Sequence, residues 1–207
     1  MKKVLFLSIS IILAVPFFPL QAFSKGAFTD VPSHYEDAVQ YIVNEGYTKG
    51  VGNNRFGTSA PIKRIDAAVM LAKVLGHEPT PDAKVAFTDV PSDRAWAVRA
   101  LVLNGVTSGK SATTFGAYDN ITRAEMARWL RVTFNFEPVS ITLPFTDVNE
   151  RFYEDVAVMY DRNITLGKSP TKFGASDSLT RGEFALFLHR AAGENNVWPA
   201  PEVENIS

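Results

Sequence analysis

The chain has 207 residues with 21 basic and 22 acidic side chains, a formal net charge of −1, and no cysteine. A nearly neutral chain offers little electrostatic attraction to nucleic acid or anionic lipid, and a chain without cysteine contains neither a disulfide nor a thiol nucleophile. A packed core must therefore support the fold, and this length is sufficient to build one.

The N-terminus has the features of a secretory signal peptide. Lys2 and Lys3 precede an apolar run over residues 4–18, and Ala22 and Ser24 are small residues at the positions that determine cleavage. The run contains two prolines and is shorter than the roughly 20 residues that a permanent membrane anchor needs. We predict cleavage after Ser24, or alternatively after Ala22, with no membrane association afterwards. Cleavage after Ser24 leaves a mature chain of 183 residues and formal net charge −3.

The remaining sequence is built from three repeats of about sixty residues. The phrase Phe-Thr-Asp-Val occurs three times, and an arginine follows each aspartate after 34 residues: Asp30 with Arg64, Asp89 with Arg123, and Asp147 with Arg181. A fixed period indicates one structural unit used three times. We assign residues 1–24 to the signal peptide and residues 194–207 to an irregular tail. Repeat 1 spans residues 25–81, repeat 2 spans residues 82–139 and repeat 3 spans residues 140–193. The short, proline-containing joints predict that the repeats pack on one another.

The sequence pattern of each repeat predicts two helices. Apolar residues spaced by three and four mark one face of the first helix, and Ser33 with Glu36 predicts a capping box, shifted by one residue at Asn149 in repeat 3. Residues that tolerate positive φ end this helix: Gly46, Gly105 and Asn163. Thr122 and Thr180 are predicted caps of the second helix, with Glu125 and Glu183 completing capping boxes. Lys63 and Asp66 replace these residues in repeat 1, so that the cap is degraded.

The loop between the two helices contains two further repeated features. One is a glycine, at Gly50, Gly109 and Gly167. The other is a Phe-Gly pair, at 56–57, 115–116 and 173–174, whose aromatic ring we expect to anchor the loop to the core.

An arginine in the first turn of a helix opposes the helix macrodipole, so helix stability does not explain its repetition. Two interpretations remain open from the residues alone. Each arginine could pair with the aspartate of a Phe-Thr-Asp motif and hold the repeats together. Alternatively, the arginine and the free N–H groups of the helix start could form an anion site, in which the guanidinium grips a carboxylate.

Residues for catalysis or metal binding are not assembled in the sequence. The three histidines, His34, His77 and His189, fall at non-equivalent places in the repeats, and no pair of them has metal-ligand spacing. No nucleophile motif is present. We therefore predict that the chain is not an enzyme and that it uses no metal or cofactor.

Together, the Phe-x-Asp-Val phrase, the mid-repeat glycine, the Phe-Gly pair and Ile-Thr-Arg-Ala-Glu at residues 121–125 resemble the S-layer homology domain in its usual triplet. The resemblance covers about residues 27–193. The stretch 179–183 is close to the pattern, and 62–66 is degenerate.

The resemblance implies a mainly α fold, namely a pseudo-threefold spindle with a central three-helix bundle and grooves between the repeats. It also implies a secreted protein at the cell surface of a bacterium, of Gram-positive type. Such a protein is held on the cell wall without covalent bonds, by binding secondary cell-wall polysaccharide with a pyruvylated terminal sugar. The ligand residues carried over by position are Arg64, Arg123, Arg181, Asp30, Asp89, Asp147, Gly50, Gly109 and Gly167.

The ketal carboxylate of such a sugar suits an arginine at a helix start, which favours anion capture. The glycines would let the sugar approach the backbone closely. We expect a monomer. The competing interpretation is a structural surface-layer or adaptor protein whose repeats bind another protein. Since only repeat 2 matches the pattern throughout, we predict that Arg123 contributes most to affinity and that Arg64 or Arg181 supports a weaker second contact. For Trp96, which has no aromatic counterpart in the other repeats, core packing is favoured over sugar stacking.

Overall fold

The computed structural model describes residues 28–193, so that the predicted signal peptide and C-terminal tail lie outside the described residues. Within this range the chain forms six α-helices, three short 3₁₀ turns and no strand, which confirms the mainly α prediction. The helices are α1 (Glu36–Asn44), α2 (Arg64–Val74), α3 (Ala95–Leu103), α4 (Arg123–Thr133), α5 (Tyr153–Asp161) and α6 (Arg181–Ala192). No helix in this range is long and apolar enough to cross a bilayer.

The caps of the second helices follow the sequence prediction. Thr122 and Thr180 each accept a hydrogen bond from the backbone of the glutamate three residues later, and that glutamate returns one to the threonine backbone. Lys63 makes no side-chain cap. The predicted ends are also confirmed, since Gly46, Gly105 and Asn163 all adopt positive φ.

The predicted capping box at Ser33 and the shifted cap at Asn149 are wrong. Each first helix is entered through a 3₁₀ turn, and neither Pro32 nor Asn149, which precede two of these turns, makes a side-chain cap. The turns are closed by backbone hydrogen bonds, such as the one that Tyr35 N donates to Pro32 O at 2.9 Å. A 3₁₀ turn of this kind satisfies backbone groups at the helix start without a side chain.

The three repeats close into a ring through their backbones. Just before each second helix, one residue bonds to its counterpart in another repeat: Ile62 N donates to Leu179 O at 2.9 Å, Leu179 N to Ile121 O at 2.9 Å, and Ile121 N to Ile62 O at 3.2 Å. Each repeat therefore donates one of these bonds and accepts one. This closed triangle relates the repeats by a pseudo-threefold axis.

Side-chain packing follows the same cyclic order. The second helix of each repeat packs against the first helix of the next one, so that α2 contacts α3, α4 contacts α5, and α6 contacts α1. The loop phenylalanines are fully buried in one continuous core, as predicted, at Phe56, Phe115 and Phe173. Trp96 also belongs to this core, which confirms its packing role. The spindle outline and the central three-helix bundle stay predictions.

We expect the mature chain to unfold in one cooperative transition and an excised repeat 2 (residues 82–139) to be largely unfolded. The isolated repeat loses both of its bonds in the backbone triangle and exposes helix faces that the neighbouring repeats cover. Circular dichroism and calorimetry on the two proteins test this. A sharp thermal transition in the excised repeat would contradict it.

Candidate functional site

The aspartates of the three Phe-Thr-Asp motifs hold the Phe-Gly turn of their own repeat. Asp30 accepts hydrogen bonds from Phe56 N at 2.7 Å and Gly57 N at 2.8 Å. Asp89 and Asp147 make the same two bonds in their repeats, each with a third from the following alanine N–H. The carboxylate thus fixes the loop that carries the buried phenylalanine.

Burial alone would raise the pKa of these carboxyls, but the backbone N–H groups outweigh it and hold each pKa below the usual aspartate value of 3.8. A carboxyl whose folded-state pKa is lowered stabilises the fold above its unfolded-state pKa. That stability is lost as pH falls through the folded-state value. The turns are therefore acid-sensitive below pH 3.8.

The Asp89→Asn variant is expected to lose about 1–3 kcal/mol of unfolding free energy at neutral pH, because an amide cannot accept from all three N–H donors. Its stability should also fall less than that of the wild type as the solution is acidified below pH 3.8. Urea titrations across the acid range measure both effects. Asp161→Asn, at an exposed position of α5, is the control. Equal losses in the two variants would contradict the prediction.

The three arginines reach across to the loop of the following repeat. Arg64 Nε donates to Phe115 O at 3.2 Å, Arg123 Nε to Phe173 O at 3.0 Å, and Arg181 Nε to Phe56 O at 2.8 Å. Each guanidinium also lies about 5 Å from the ring of that phenylalanine, within cation–π range. We call these contacts the Arg64 interface (repeats 1 and 2), the Arg123 interface (repeats 2 and 3) and the Arg181 interface (repeats 3 and 1).

Each interface brings the arginine of one repeat beside the loop that the aspartate of the next repeat holds: Arg64 with Asp89, Arg123 with Asp147, and Arg181 with Asp30. The predicted direct pairing of arginine and aspartate is wrong for Arg64 and Arg181, which form no ion pair with these aspartates among the described residues. The arginines do join the repeats, as that interpretation held, but the acceptor is a backbone carbonyl.

The first two N–H groups of each second helix are already hydrogen-bonded and are not free to bind an anion. Arg64 N donates to Asp119 O, Arg123 N to Asp177 O, and Arg181 N to Ala60 O, at 2.9–3.1 Å. The next N–H in each helix likewise donates to the neighbouring loop. In α4 and α6 the third bonds to the threonine cap. The predicted contribution of free helix-start N–H groups is therefore wrong for α4 and α6, and in α2 only the Asp66 N–H makes no hydrogen bond within residues 28–193.

Two of the three arginines are paired with the capping glutamate of the next repeat. Arg64 Nη1 lies 2.8 Å from Glu125 Oε1, and Arg123 Nη1 lies 2.8 Å from Glu183 Oε1. The other oxygen of each glutamate accepts the backbone N–H of its threonine cap. The sequence predicts only a capping role for these glutamates. The signal for the second contact is the choice of glutamate over the shorter aspartate.

The Arg181 interface lacks this ion pair. The position of the capping glutamate is occupied in α2 by Asp66, which pairs with Arg94 instead. Arg181 bonds to Phe56 O and, at 2.6 Å, to Thr48 Oγ1, but it forms no ion pair among the described residues. A guanidinium has five N–H donors, and these two contacts occupy two of them.

The surroundings of Arg181 are also less polar and less acidic. A lysine–aspartate pair covers the Phe-Gly turn in repeats 2 and 3, at Lys110–Asp119 (2.6 Å) and Lys168–Asp177 (2.9 Å). In repeat 1 the equivalent residues are Val51 and Ala60, both exposed. Val51 packs beside the turn glycine, close to the Arg181 side chain.

Burial and charge therefore distinguish the three guanidinium groups. The exposed fraction is 3% for Arg64, 0% for Arg123 and 8% for Arg181. Burial lowers the pKa of Arg64 and Arg181, and nearby carboxylates oppose that shift. Glu125, Asp119 and Asp89 do so for Arg64, but only Asp66 does for Arg181. Fewer carboxylates therefore compensate for the positive charge of Arg181 than for that of Arg64.

The mid-repeat glycines have a packing reason that the sequence did not reveal. At Gly50, with φ of 82°, an added Cβ would lie 2.6 Å from Phe28 Cε1 and 2.8 Å from Arg55 O. Gly109 and Gly167 have the same surroundings, with the phenylalanine of their own Phe-Thr-Asp motif covering the Cα. The atoms that leave no room for a Cβ at these glycines therefore belong to the protein itself. Contact of these glycines with a sugar stays a prediction.

No group of three or more histidine, aspartate and glutamate side chains within residues 28–193 could hold a metal ion. The interfaces contain instead a buried guanidinium, a hydrogen-bonded aspartate and aromatic rings. This set of groups can hold a carboxylate or another oxyanion by charge and hydrogen bonds.

Comparison with known proteins identifies the source of the threefold pattern. The family model described as "S-layer homology domain" matches three times, at residues 27–68, 86–127 and 144–185. Each matched stretch contains one Asp and one Arg of the interfaces. It also contains the entire loop between the first and second helices.

Several bacterial surface proteins are similar to most of the chain. A "Surface-layer 125 kDa protein" of Lysinibacillus sphaericus is 30% identical over 190 residues, covering 86% of this chain and 16% of the relative. An "S-layer protein" of Bacillus licheniformis is 29% identical over 82% of this chain and 20% of its own length. An "Endoglucanase" of Bacillus sp. (strain KSM-635) is 31% identical over 51% of this chain and 11% of its own length. The chain thus corresponds to a fifth or less of each of these relatives.

Proposed function

The chain belongs to the S-layer homology domain family, and from this premise we propose that it attaches to the bacterial cell surface without a covalent bond. The ligand is secondary cell-wall polysaccharide with a pyruvylated terminal sugar, bound at the interfaces between repeats. Relatives named as surface-layer proteins, from Lysinibacillus and Bacillus, support a cell-surface location. The chain acts as a binding module rather than an enzyme, and as a monomer. In the endoglucanase relative, the similarity covers only 11% of the protein.

One observation carries the choice of an anionic ligand: Arg181 is a nearly buried guanidinium without a carboxylate partner among the described residues. Such a charge is costly unless an anion or several hydrogen bonds compensate for it. Its Nη1 makes no hydrogen bond within residues 28–193 and is not sealed from solvent. A ligand carboxylate would supply the missing partner.

This observation leads us to rank the interfaces by their contribution to ligand affinity in a different order from the one that the sequence predicts. Arg123 matches the family pattern best, but its guanidinium is fully buried against Glu183, Thr165 and Phe173. A ligand carboxylate at that place would have to displace Glu183. At the Arg181 interface no carboxylate within residues 28–193 is paired with the guanidinium, and the exposed Val51 offers an apolar contact for the methyl group of a pyruvate ketal. We propose that the Arg181 interface, with Asp30 holding its loop, is the principal binding site.

Sedimentation with purified bacterial cell walls tests the proposed function. The mature chain should bind walls that keep their polysaccharide and should remain in solution when the polysaccharide has been removed chemically. Peptidoglycan without the polymer serves as the control for adhesion to the wall itself. Equal binding to stripped and intact walls would overturn the proposal and favour the alternative, a structural or adaptor protein whose repeats bind another protein.

A further inference from the structure

A surface cavity of about 400 Å³ lies between the joint that connects repeats 1 and 2 and the beginning of α3. Its volume falls in the range of small-molecule sites, roughly 300–1,000 Å³. Pro79 and Pro81 of the joint and Trp96 of α3 supply apolar wall, and Asp82 and Asp93 supply carboxylates. None of these residues takes part in the three arginine interfaces.

Three polar side chains of this cavity lack hydrogen-bond or ion-pair partners within residues 28–193, whereas the Thr80 hydroxyl donates to Glu78 O. Asp82 and Asp93 form no ion pair or side-chain hydrogen bond within residues 28–193. Trp96 is only 7% exposed, and its indole N–H donates to no described residue, although it is not sealed from solvent. A largely buried tryptophan N–H usually has an acceptor. The lining of the cavity therefore includes one residue with an unused donor and two residues with unused negative charges.

These groups define the chemistry of the ligand. Two carboxylates without basic neighbours in an ion pair attract a cation and repel an anionic polymer. The indole N–H needs an oxygen acceptor, such as a hydroxyl group. The two proline rings and the exposed edge of Trp96 offer apolar surface to a face of C–H bonds. An amino sugar combines all three features: an ammonium group, hydroxyl oxygens and an apolar ring face.

We propose that this cavity binds a saccharide unit that carries a free ammonium group, such as a non-acetylated glucosamine residue of a glycan. The site is separate from the arginine interfaces and opposite to them in charge preference. It does not depend on the wall-polysaccharide function proposed above. Trp96 keeps its packing role in the core and contributes the small exposed part of its side chain to the lining of the site.

Nuclear magnetic resonance of the ¹⁵N-labelled mature chain tests the proposal through the Trp96 indole signal, which its loss in Trp96→Phe assigns. Titration with chitotriose, the trimer of glucosamine, should shift this signal, whereas N,N′,N″-triacetylchitotriose should bind about tenfold more weakly or not at all. The acetylated trimer has the same ring and linkage without the charge. The comparison therefore isolates the ammonium group.

The carboxylates are tested by an Asp82→Asn/Asp93→Asn variant, which should lose about tenfold in affinity for chitotriose. Asp161→Asn, which removes an exposed charge on α5, should leave the affinity unchanged. The absence of any indole shift at millimolar chitotriose, equal shifts with the acetylated trimer, or full binding by the double variant would each overturn the proposal. A shift with a lysine-rich peptide but not with chitotriose would also overturn it.

Discussion

Arg123→Ala is expected to lower the unfolding free energy by about 3–5 kcal/mol, the scale for breaking a buried ion pair by removing one partner. The guanidinium is fully buried and bonds to Glu183 at 2.8 Å, to Phe173 O at 3.0 Å and to Thr165 Oγ1 at 3.2 Å. Its loss leaves the Glu183 carboxylate, which has 1% side-chain exposure, with only the Thr180 N–H as a donor, and it leaves the Phe173 carbonyl without its arginine donor. It also leaves a cavity at the contact between repeats 2 and 3.

The partner left behind can be neutralised to check this reasoning. Adding Glu183→Gln to Arg123→Ala should recover about 1–3 kcal/mol, because an amide is less costly to bury than an unpaired charge and can still complete the capping box. Arg128→Ala, on the exposed side of the same helix, is the matched control and should change stability by less than about 0.5 kcal/mol. Chemical denaturation of the four proteins gives these values. A loss in Arg123→Ala no larger than that in Arg128→Ala would contradict the ion-pair role.

The second large effect concerns binding. Arg181→Ala is expected to weaken binding to pyruvylated polysaccharide by about 1.5–3 kcal/mol, the scale of a hydrogen bond to a charged group. Arg181→Lys should not restore the affinity, because an ammonium group lacks the planar arrangement of donors that matches a carboxylate. Isothermal titration calorimetry on folded variants measures both losses, with Arg128→Ala as the control for a simple change in net charge.

Removal of the pyruvate group from the polymer distinguishes direct contact from a structural effect. If Arg181 binds the ketal carboxylate, wild type should lose affinity when the pyruvate is removed, and Arg181→Ala should lose almost nothing further. Two losses that simply add would show that Arg181 acts on the scaffold. Equal losses in single alanine variants of Arg64, Arg123 and Arg181 would contradict the ranking that places the Arg181 interface first.

Local sequence patterns were sufficient for the elements of this fold. The period of about sixty residues identified three equivalent units, and the family match falls on the same three stretches. The threonine caps of α4 and α6 and the positive φ at Gly46, Gly105 and Asn163 followed from residue chemistry. The side-chain caps predicted at Ser33 and Asn149 are the exceptions, because a 3₁₀ turn closed by backbone hydrogen bonds begins these helices instead.

For the candidate sites, the sequence indicated the arginines and aspartates but not the repeats that they join. Sequence spacing linked each arginine to the aspartate 34 residues earlier, whereas the structure brings Arg64 to the loop of Asp89 and Arg181 to the loop of Asp30. A period shows that contacts repeat, but it does not show whether they form within one unit or between two. Ring closure through Ile62, Ile121 and Leu179 decided this, because it places each second helix against the following repeat.

By itself, therefore, the sequence determined the number of repeats, their helices and the caps of α4 and α6, because these depend on neighbours along the chain. Only the tertiary structure decided what each arginine contacts and how its charge is compensated. One carboxylate oxygen of Glu125 or Glu183 caps its own helix, and the other reaches the arginine of the preceding repeat. Asp66 is engaged with Arg94, which leaves Arg181 without an ion pair among the described residues. That difference arises from side chains far apart in sequence, and it sets the Arg181 interface apart from the other two.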